Sequence, residues 1–205
     1  MNTQILHIDS SLFGESGVSS QLSAYLIEKL ISTHSNPGIT KHSLAEENIP
    51  HFSLETINAV SEGKADLADR YIDEIKKADV LVLSAPMYNF AIPTQLKSWF
   101  DHIARAGTTF KYTDNGPKGL LENKKVYVIT TRGGIHRGKE TDTESLYLKT
   151  MLGFIGLTDV DFIYAEGLNM GAERETSILK AQHEIDVLFP NSEGNEHTQN
   201  NKVAV

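Results

Sequence analysis

The chain has 205 residues, of which 40% are hydrophobic and 22% are charged, and its formal net charge is −8. This composition predicts one globular domain with a core large enough to fold alone. The acidic balance, without any long run of lysine or arginine, argues against a protein that binds nucleic acid. Cysteine is absent, which excludes disulfides and thiolate metal sites and is consistent with a cytoplasmic location. We predict no metal site.

The sequence also gives no sign of membrane insertion or secretion. No apolar run approaches the roughly 20 residues that a membrane helix needs. The first residues lack the basic start and the long apolar stretch of a signal peptide, and they predict a strand instead.

The first predicted strand, Gln4 to Asp9, leads through a loop of small residues, 10–20, into a helix from about Ser20 to Ser32. Such a loop presents hydroxyls and backbone N–H groups in front of the positive end of a helix dipole, and a corner of this kind binds phosphate. Serine and glycine are also ordinary turn and N-cap residues, so both interpretations stay open. The loop has neither a Walker A ending nor a Gly-x-Gly-x-x-Gly motif, which argues against a tightly held dinucleotide.

A second strand is predicted from Ile39 to Leu44, whereas residues 46–63 show no clear period. A helix is predicted from Lys64 to Ala78. The apolar run Val80 to Leu83 follows and is bounded by polar residues. This pattern is typical of a strand that is buried on both faces of a sheet.

The stretch after that run, Ser84 to Pro93, is where we expect a ligand site. Its two prolines exclude a helix between them, and doubly wound α/β folds place ligands at the carboxyl ends of central strands. A thioether, a phenol, a carboxamide and a phenyl ring stand in a row, a mixture that suits a flat heteroaromatic ring: Met87, Tyr88, Asn89 and Phe90. The alternative is an ordinary loop whose aromatic residues cover a helix end.

The helix predicted from Thr94 to Ala104 carries a strong apolar face, formed by Leu96, Trp99, Phe100 and Ile103. The face could belong to the core, which we favour, or to a subunit contact. Residues 106–125 then form a connection that is long for a compact domain, and such loops tend to be functional. Phe110 and Tyr112 within it either wall a substrate pocket or anchor the loop to the body.

A fourth strand is predicted from Lys125 to Thr131, and the segment after it contains Gly133 and Gly134. Adjacent glycines let the backbone approach a planar ligand closely. The remaining predicted elements are a helix from Glu144 to Phe154, a strand from Asp159 to Ala165 and a helix from Glu173 to Leu188. Residues 191–205 are expected to be a disordered polar tail.

This order of elements predicts five parallel strands with helices on both faces of the sheet. The expected architecture is a doubly wound α/β domain over residues 1–190 with the flavodoxin-like strand order 2-1-3-4-5. The loops after the first, third and fourth strands then converge at one edge. Their convergence supports a ligand site more strongly than any single motif does.

Seven fragments, in their order and spacing, closely resemble the FMN-dependent NADH-azoreductase (quinone reductase) family. They are Met87 to Phe90, Ile92 to Lys97, Ala104 to Gly107, Phe110 to Thr113, Asn115 to Pro117, Arg132 to His136 and Gly153 to Gly156. The resemblance implies a tightly bound FMN, with site residues in three loops: Ser11, Gly17, Val18 and Ser19; Met87, Tyr88, Asn89 and Phe90; Thr131, Arg132, Gly133 and Gly134.

One departure from the family pattern concerns the first of these loops. The family commonly has Ser-x-Ser where this chain has Gly17-Val18-Ser19, with Ser16 one place earlier. One hydroxyl contact to phosphate is therefore expected to be missing, while the backbone N–H of Gly17 would remain.

The resemblance further implies a ping-pong reaction, in which NADH or NADPH reduces the flavin before a quinone or azo compound takes its place. His136 matches a position close to the flavin and is the candidate proton donor, or else an ordinary histidine of a surface loop. A neighbouring subunit would complete the pocket with Phe154, together with Phe110 and Tyr112, which implies a homodimer. The alternative function is a flavodoxin-type electron carrier without a substrate of its own.

Overall fold

A computed structural model describes residues 2–190, so the tail predicted at 191–205 lies outside the described residues. The strands are β1 (Gln4–Asp9), β2 (Gly38–Ser43), β3 (Val80–Pro86), β4 (Phe110–Thr113), β5 (Gly116–Gly119), β6 (Lys125–Thr131) and β7 (Asp159–Ala165). The α-helices are α1 (Val18–Thr33), α2 (Leu54–Ser61), α3 (Asp66–Lys77), α4 (Thr94–Ile103), α5 (Thr143–Ile155) and α6 (Glu173–Leu188). Within the described range, no helix combines the length and the apolar character needed to cross a bilayer.

The main sheet contains five parallel strands in the order β2-β1-β3-β6-β7. Counted within this sheet, the order is 2-1-3-4-5, which confirms the predicted flavodoxin-like arrangement. β3 lies at the centre and is buried at every residue, because it has a strand on each side and helices over both faces. The carboxyl ends of β1, β3 and β6 consequently meet at one edge.

Alternate residues of β3 enter two separate apolar layers. Leu81 and Leu83 pack with α3, α4 and α5 on one face, whereas Val80 and Val82 pack with α1 and α6 on the other. The apolar face of α4 lies in the first layer, where its large side chains are 0% exposed: Leu96, Trp99, Phe100 and Ile103. This face therefore belongs to the core, as favoured, and is not available for a subunit contact.

Two segments differ from the sequence prediction. The connection 106–125, predicted as a loop, contains the antiparallel pair β4 and β5, in which Thr113 pairs with Gly116. Gly116 has a φ of +100°, a left-handed conformation that glycine adopts without steric cost. The aperiodic segment 46–63 contains α2, which starts with a capping box at Ser53 and Thr56 and buries none of its side chains. A helix without a buried face leaves no hydrophobic period in the sequence.

Candidate functional site

A cavity of about 500 Å³ lies at the edge where the carboxyl ends of β1, β3 and β6 meet. Its size is within the range of small-molecule and cofactor sites. Three of the loops around it are those that the sequence predicted, and the loop after β7 is the fourth. The lining residues are Ser11, Phe13, Ser16, Gly17, Val18, Ser19, Pro86, Met87, Tyr88, Thr131, Arg132, Gly133, Leu168, Asn169 and Arg174.

One end of the cavity is formed by the start of α1. Gly17 is the N-cap and supplies no side-chain cap, and the N–H groups of Val18 and Ser19 have no partner among residues 2–190. Ser19 is 1% exposed, and its hydroxyl also lacks a hydrogen-bond partner within the described chain. Unpaired donors at the positive end of a helix form a site for an anion. We call Ser11 together with residues 17–19 the anion cradle.

The contribution of Gly17 to the anion cradle is steric. The expectation that its N–H stays available was wrong, because this group donates to the Gly14 carbonyl at 3.0 Å. The Ser16 hydroxyl is also engaged, since it donates to the Phe13 carbonyl at 2.7 Å. A β-carbon at Gly17 would lie 2.1 Å from the Ser11 hydroxyl oxygen, so any other residue there would force Ser11 to move.

Asp9, the last residue of β1, ties the two sides of the anion cradle together. One oxygen of its buried carboxylate accepts hydrogen bonds from the Ser11 N–H at 3.1 Å and from the Ser20 hydroxyl at 2.9 Å. Burial raises the pKa of Asp9, although its hydrogen bonds act in the opposite direction. Nearby, burial lowers the pKa of His7 to about 3, so this imidazole is neutral at physiological pH.

The loop after β3 folds into a two-residue turn. Tyr88 and Ala91 exchange backbone hydrogen bonds at 2.9 and 3.0 Å, and the residues between them, Asn89 and Phe90, have φ of 51° and 65°. This is the pattern of a type I′ turn, and the left-handed conformation costs an L-residue roughly 1–2 kcal/mol. Met87 and Tyr88 line the cavity, whereas the strained pair is exposed outside the lining.

The loop after β6, residues 131–137, is called the glycine loop here. The carbonyl groups of residues 132–134 accept hydrogen bonds from the N–H groups of residues 167–169 at 2.9 to 3.0 Å. The N–H groups of Gly133 and Gly134 have no partner in the described part of the chain. Successive free N–H groups of this kind form a second concavity for negative charge. A β-carbon at Gly133 would lie 2.5 Å from the Asn169 amide nitrogen, so a side chain there would displace this amide from the lining.

Comparisons with known proteins agree with this geometry. A family profile described as "Flavodoxin-like fold" matches residues 3–188. An FMN-dependent NADH:quinone oxidoreductase of Saccharophagus degradans is 56% identical over 192 residues, which are 90% of this chain and 92% of that protein. Its counterpart in Cellvibrio japonicus is 44% identical over 89% of this chain and 96% of that protein. The crystal structure of an azoreductase from Bacillus anthracis superposes with a TM-score of 0.83 at 28% identity, covering 91% of this chain and 98% of that one.

The chain belongs to the FMN-dependent NADH:quinone oxidoreductase family. The resemblance noted from the sequence fragments is thereby confirmed. The family is one of oxidoreductases, and its azoreductase members share the fold described above.

Arg132, one of the site residues carried over from the family motif, does not direct its side chain into the cavity. The guanidinium is 0% exposed and bonds to three carboxylates, of Asp142 at 2.8 Å, Glu144 at 3.2 Å and Glu166 at 3.3 Å. Its backbone N–H donates to the Ala165 carbonyl at 2.9 Å. Arg132 therefore shapes the wall of the cavity and offers a ligand no free donor.

His136 lies at the far end of the glycine loop and does not line the cavity. Its Nδ1 is 2.9 Å from the Thr141 hydroxyl, and its ring packs edge-on against Phe90 with centroids 5.6 Å apart. A β-carbon at Gly134 would lie 2.8 Å from His136 Nε2. The imidazole thus sits beside the free N–H groups of this loop, and its catalytic role stays a prediction.

The three predicted substrate contacts, Phe110, Tyr112 and Phe154, do not line the cavity of their own chain. Phe110 is buried against Phe154, with ring centroids 4.3 Å apart, so it anchors the hairpin to α5. Tyr112 is 75% exposed. The fragment Gly153 to Gly156 forms the last turn and left-handed cap of α5, so Phe154 stands on the end of this helix.

Six residues of the lining were not among the predicted site residues: Phe13, Ser16, Pro86, Leu168, Asn169 and Arg174. Three of them follow β7, whose carboxyl end reaches the same edge of the sheet as the other strands. These three residues could therefore have been found from the predicted strand order, because every loop that follows a parallel strand lies at this edge of the sheet. The sequence prediction used only the loops after the first, third and fourth strands.

Proposed function

We propose that this chain binds FMN in the cavity and uses NADH to reduce quinones and to cleave aromatic azo compounds. The observation that carries the proposal is the anion cradle. It combines an uncapped helix start, a buried Ser19 hydroxyl without a partner among the described residues and a glycine, Gly17, whose missing β-carbon leaves room for the Ser11 hydroxyl. A phosphate group satisfies such donors, and the names of the relatives specify FMN as the group in question.

The residues present fit the whole cofactor. The N–H groups of Val18 and Ser19, with the hydroxyls of Ser11 and Ser19, would hold the phosphate. Met87 and Tyr88 would pack on the ring, and the free N–H groups of the glycine loop would meet its polar edge. When bound, FMN supplies hydride transfer, which no protein side chain can perform.

The protein's own contribution is positioning and electrostatic stabilisation. The two free N–H groups of the glycine loop stabilise negative charge that develops at the edge of a bound ring, because they are already oriented and need no rearrangement. The Tyr88 hydroxyl accepts a hydrogen bond from the Leu12 N–H at 3.3 Å, and the Met87 N–H donates to the Thr131 carbonyl at 2.9 Å. The three loops are thus linked and hold their relative positions.

His136 is the proposed proton donor. If its Nδ1 accepts the Thr141 hydrogen bond, the ring proton stands on Nε2, which can donate to a reduced substrate. We also propose a ping-pong order, in which NADH and the oxidant occupy the same place beside the bound ring in turn. We propose NADH as the donor because the relatives are named for it.

A homodimer is the proposed assembly. Tyr112 and the exposed edge of Phe154 stand on the surface of the hairpin and α5 and would wall the cavity of a partner chain. The apolar side of α4 takes no part, because it is core. The cytoplasmic location predicted from the sequence remains part of the proposal.

The visible spectrum of the purified protein tests this function. We expect a flavin spectrum that NADH bleaches and that a quinone or an azo dye restores, with parallel lines in double-reciprocal plots. Riboflavin, which lacks the phosphate, should bind much more weakly than FMN. Ser19→Asp should lose FMN while retaining its weak affinity for riboflavin, because a carboxylate opposes only the phosphate. A colourless protein that FMN does not reconstitute would overturn the proposal.

A further inference from the structure

Glu166 stands behind the glycine loop, one residue after β7. One oxygen of its carboxylate, Oε1, accepts three hydrogen bonds: from the N–H of His136 at 2.7 Å, from the N–H of Arg137 at 2.8 Å and from the Arg132 guanidinium at 3.3 Å. Its side chain is 14% exposed. Hydrogen bonds to an ionised acceptor are about twice as strong as those between neutral groups. A single oxygen therefore fixes the C-terminal end of the glycine loop, at His136 and Arg137.

The carboxylate is itself held in place from behind. Arg132 is bonded to Asp142 and Glu144 as well as to Glu166, and Asp142 accepts the Gly138 N–H at 3.2 Å. The segment from residue 133 to residue 142 is thus tied at two points, through two carboxylates, to one buried guanidinium. Because the Arg132 guanidinium is fully buried, it provides a fixed attachment point for this segment.

Neighbours of Glu166 fix the other side of the loop. The N–H groups of residues 167–169 bond to the carbonyls of residues 132–134. With these carbonyls and the N–H groups of His136 and Arg137 engaged, Gly133 and Gly134 keep the unpaired N–H groups described above. The free donors are thus a consequence of the bonds around them.

We propose that Glu166 is a positioning residue, which holds the Gly133 and Gly134 N–H groups ready for the negative charge that forms at the edge of the bound flavin. The inference rests on the proposed function and names a residue that the family motifs in the sequence do not include. Glu166 acts through the backbone of the glycine loop and does not line the cavity.

Two substitutions of Glu166 distinguish the positioning of the glycine-loop N–H groups from a general role in stability. Glu166→Gln keeps a carbonyl oxygen that can accept from His136 and Arg137 while it removes the charge. Glu166→Ala removes the acceptor, yet leaves Arg132 paired with Asp142 and Glu144, so the buried guanidinium is not stranded. Asp186→Ala serves as the matched control. It also removes a carboxylate with two side-chain partners, Tyr25 and Lys29, but near the far end of α6.

The first measurement uses the cofactor-free protein. Amide hydrogen exchange of His136 and Arg137 should accelerate at least tenfold in Glu166→Ala, and it should stay close to the wild-type rate in Glu166→Gln and Asp186→Ala. The second uses the protein with FMN bound. The ratio of affinities for reduced and oxidised FMN should fall about tenfold in Glu166→Ala, which lowers the two-electron potential by about 30 mV. Glu166→Gln should recover most of that difference.

Wild-type exchange rates and an unchanged potential in Glu166→Ala would overturn the inference. It would fail equally if Glu166→Gln lowered the potential as much as Glu166→Ala while His136 and Arg137 kept the wild-type exchange rates, since the position of the loop would then not set the potential. If the wild-type protein binds no FMN, the proposed function fails, whereas the exchange rates still report whether Glu166 holds the loop.

Discussion

A β-carbon added to Gly17 would lie 2.1 Å from the hydroxyl oxygen of Ser11 and 3.2 Å from the Gly14 carbonyl oxygen. The backbone of Gly17 is extended, with a φ of −70°, so any residue could adopt it. The constraint is therefore one of space alone, and alanine would push Ser11 out of the anion cradle.

We predict that Gly17→Ala weakens FMN binding at least tenfold while the weak affinity for riboflavin changes little. Fluorescence titration of the cofactor-free protein with each flavin measures both. Gly153→Ala is the control, since a β-carbon there meets nothing within 4 Å and alanine stabilises a helix interior by roughly 1 kcal/mol relative to glycine. Equal losses for both flavins in Gly17→Ala would indicate general damage and contradict the prediction.

Ser19→Ala should have opposite effects on the free and the loaded protein. The buried Ser19 hydroxyl lacks a partner among the described residues, and an unsatisfied buried polar group costs about 1–3 kcal/mol. The cofactor-free variant should therefore be more stable than the wild type in urea denaturation. It should also bind FMN about tenfold more weakly, because one donor to the phosphate is gone. A cofactor-free variant less stable than wild type would show that the hydroxyl has a partner after all.

Glu144 makes stability depend on pH. Burial is the main cause that raises the pKa of Glu144 from 4.5 to about 7, although Arg132 and Thr130 act in the opposite direction. Between pH 4.5 and about pH 7 the native state thus binds a proton that the unfolded chain has released. The stabilisation of the native state that this proton provides is complete below pH 4.5 and is lost as the pH rises to about 7. Its full size is on the order of 3 kcal/mol.

Urea denaturation between pH 5 and pH 8 measures this effect. The free energy of unfolding of the wild type should fall over this range relative to Glu144→Gln, whose side chain is neutral throughout. Asp142 contributes no slope here, since its pKa is lowered and its effect lies at more acidic pH. A constant difference between the two proteins would mean that Glu144 is ionised in the native state at pH 5 already.

Tyr112→Ala tests the shared pocket. Its side chain is 75% exposed and meets Phe110 at a centroid distance of 5.5 Å, against 4.3 Å for Phe154, so its truncation should lower the melting temperature less than Phe154→Ala does. We expect Tyr112→Ala to raise KM for quinones about fivefold or more at constant FMN content. Sedimentation at decreasing concentration, with activity measured in parallel, follows the dimer. Full activity in a monomer at micromolar concentration would contradict the shared pocket.

The main sheet could be predicted because each of its strands is marked locally. The apolar run from Val80 to Leu83 and the polar residues around it define β3, and the strand order then follows from the alternation of strands and helices. The hairpin of β4 and β5 could also have been predicted from the sequence. Asn115 and Gly116 lie between two short runs, a known hairpin signal, but the length of the connection suggested a loop.

The network behind the glycine loop could not be predicted in the same way. Its acidic members, Asp142, Glu144 and Glu166, are separated by up to 24 residues and show no periodic relation to Arg132. Charged residues are usually exposed, so nothing in the sequence indicates that these four meet in the interior. The Arg132 side chain points away from the cavity because it forms ion pairs with these three carboxylates.

Because the start of α1 is uncapped, binding of the cofactor there stabilises the native state of the enzyme. The N–H groups of Val18 and Ser19 find no acceptor in the described chain, so an anion that binds there stabilises the native state in proportion to the logarithm of its concentration. Inorganic phosphate should therefore raise the melting temperature of the cofactor-free protein. A chain that holds flavin would unfold less often than an empty one, so the amount of enzyme that survives proteolysis would rise with the supply of flavin.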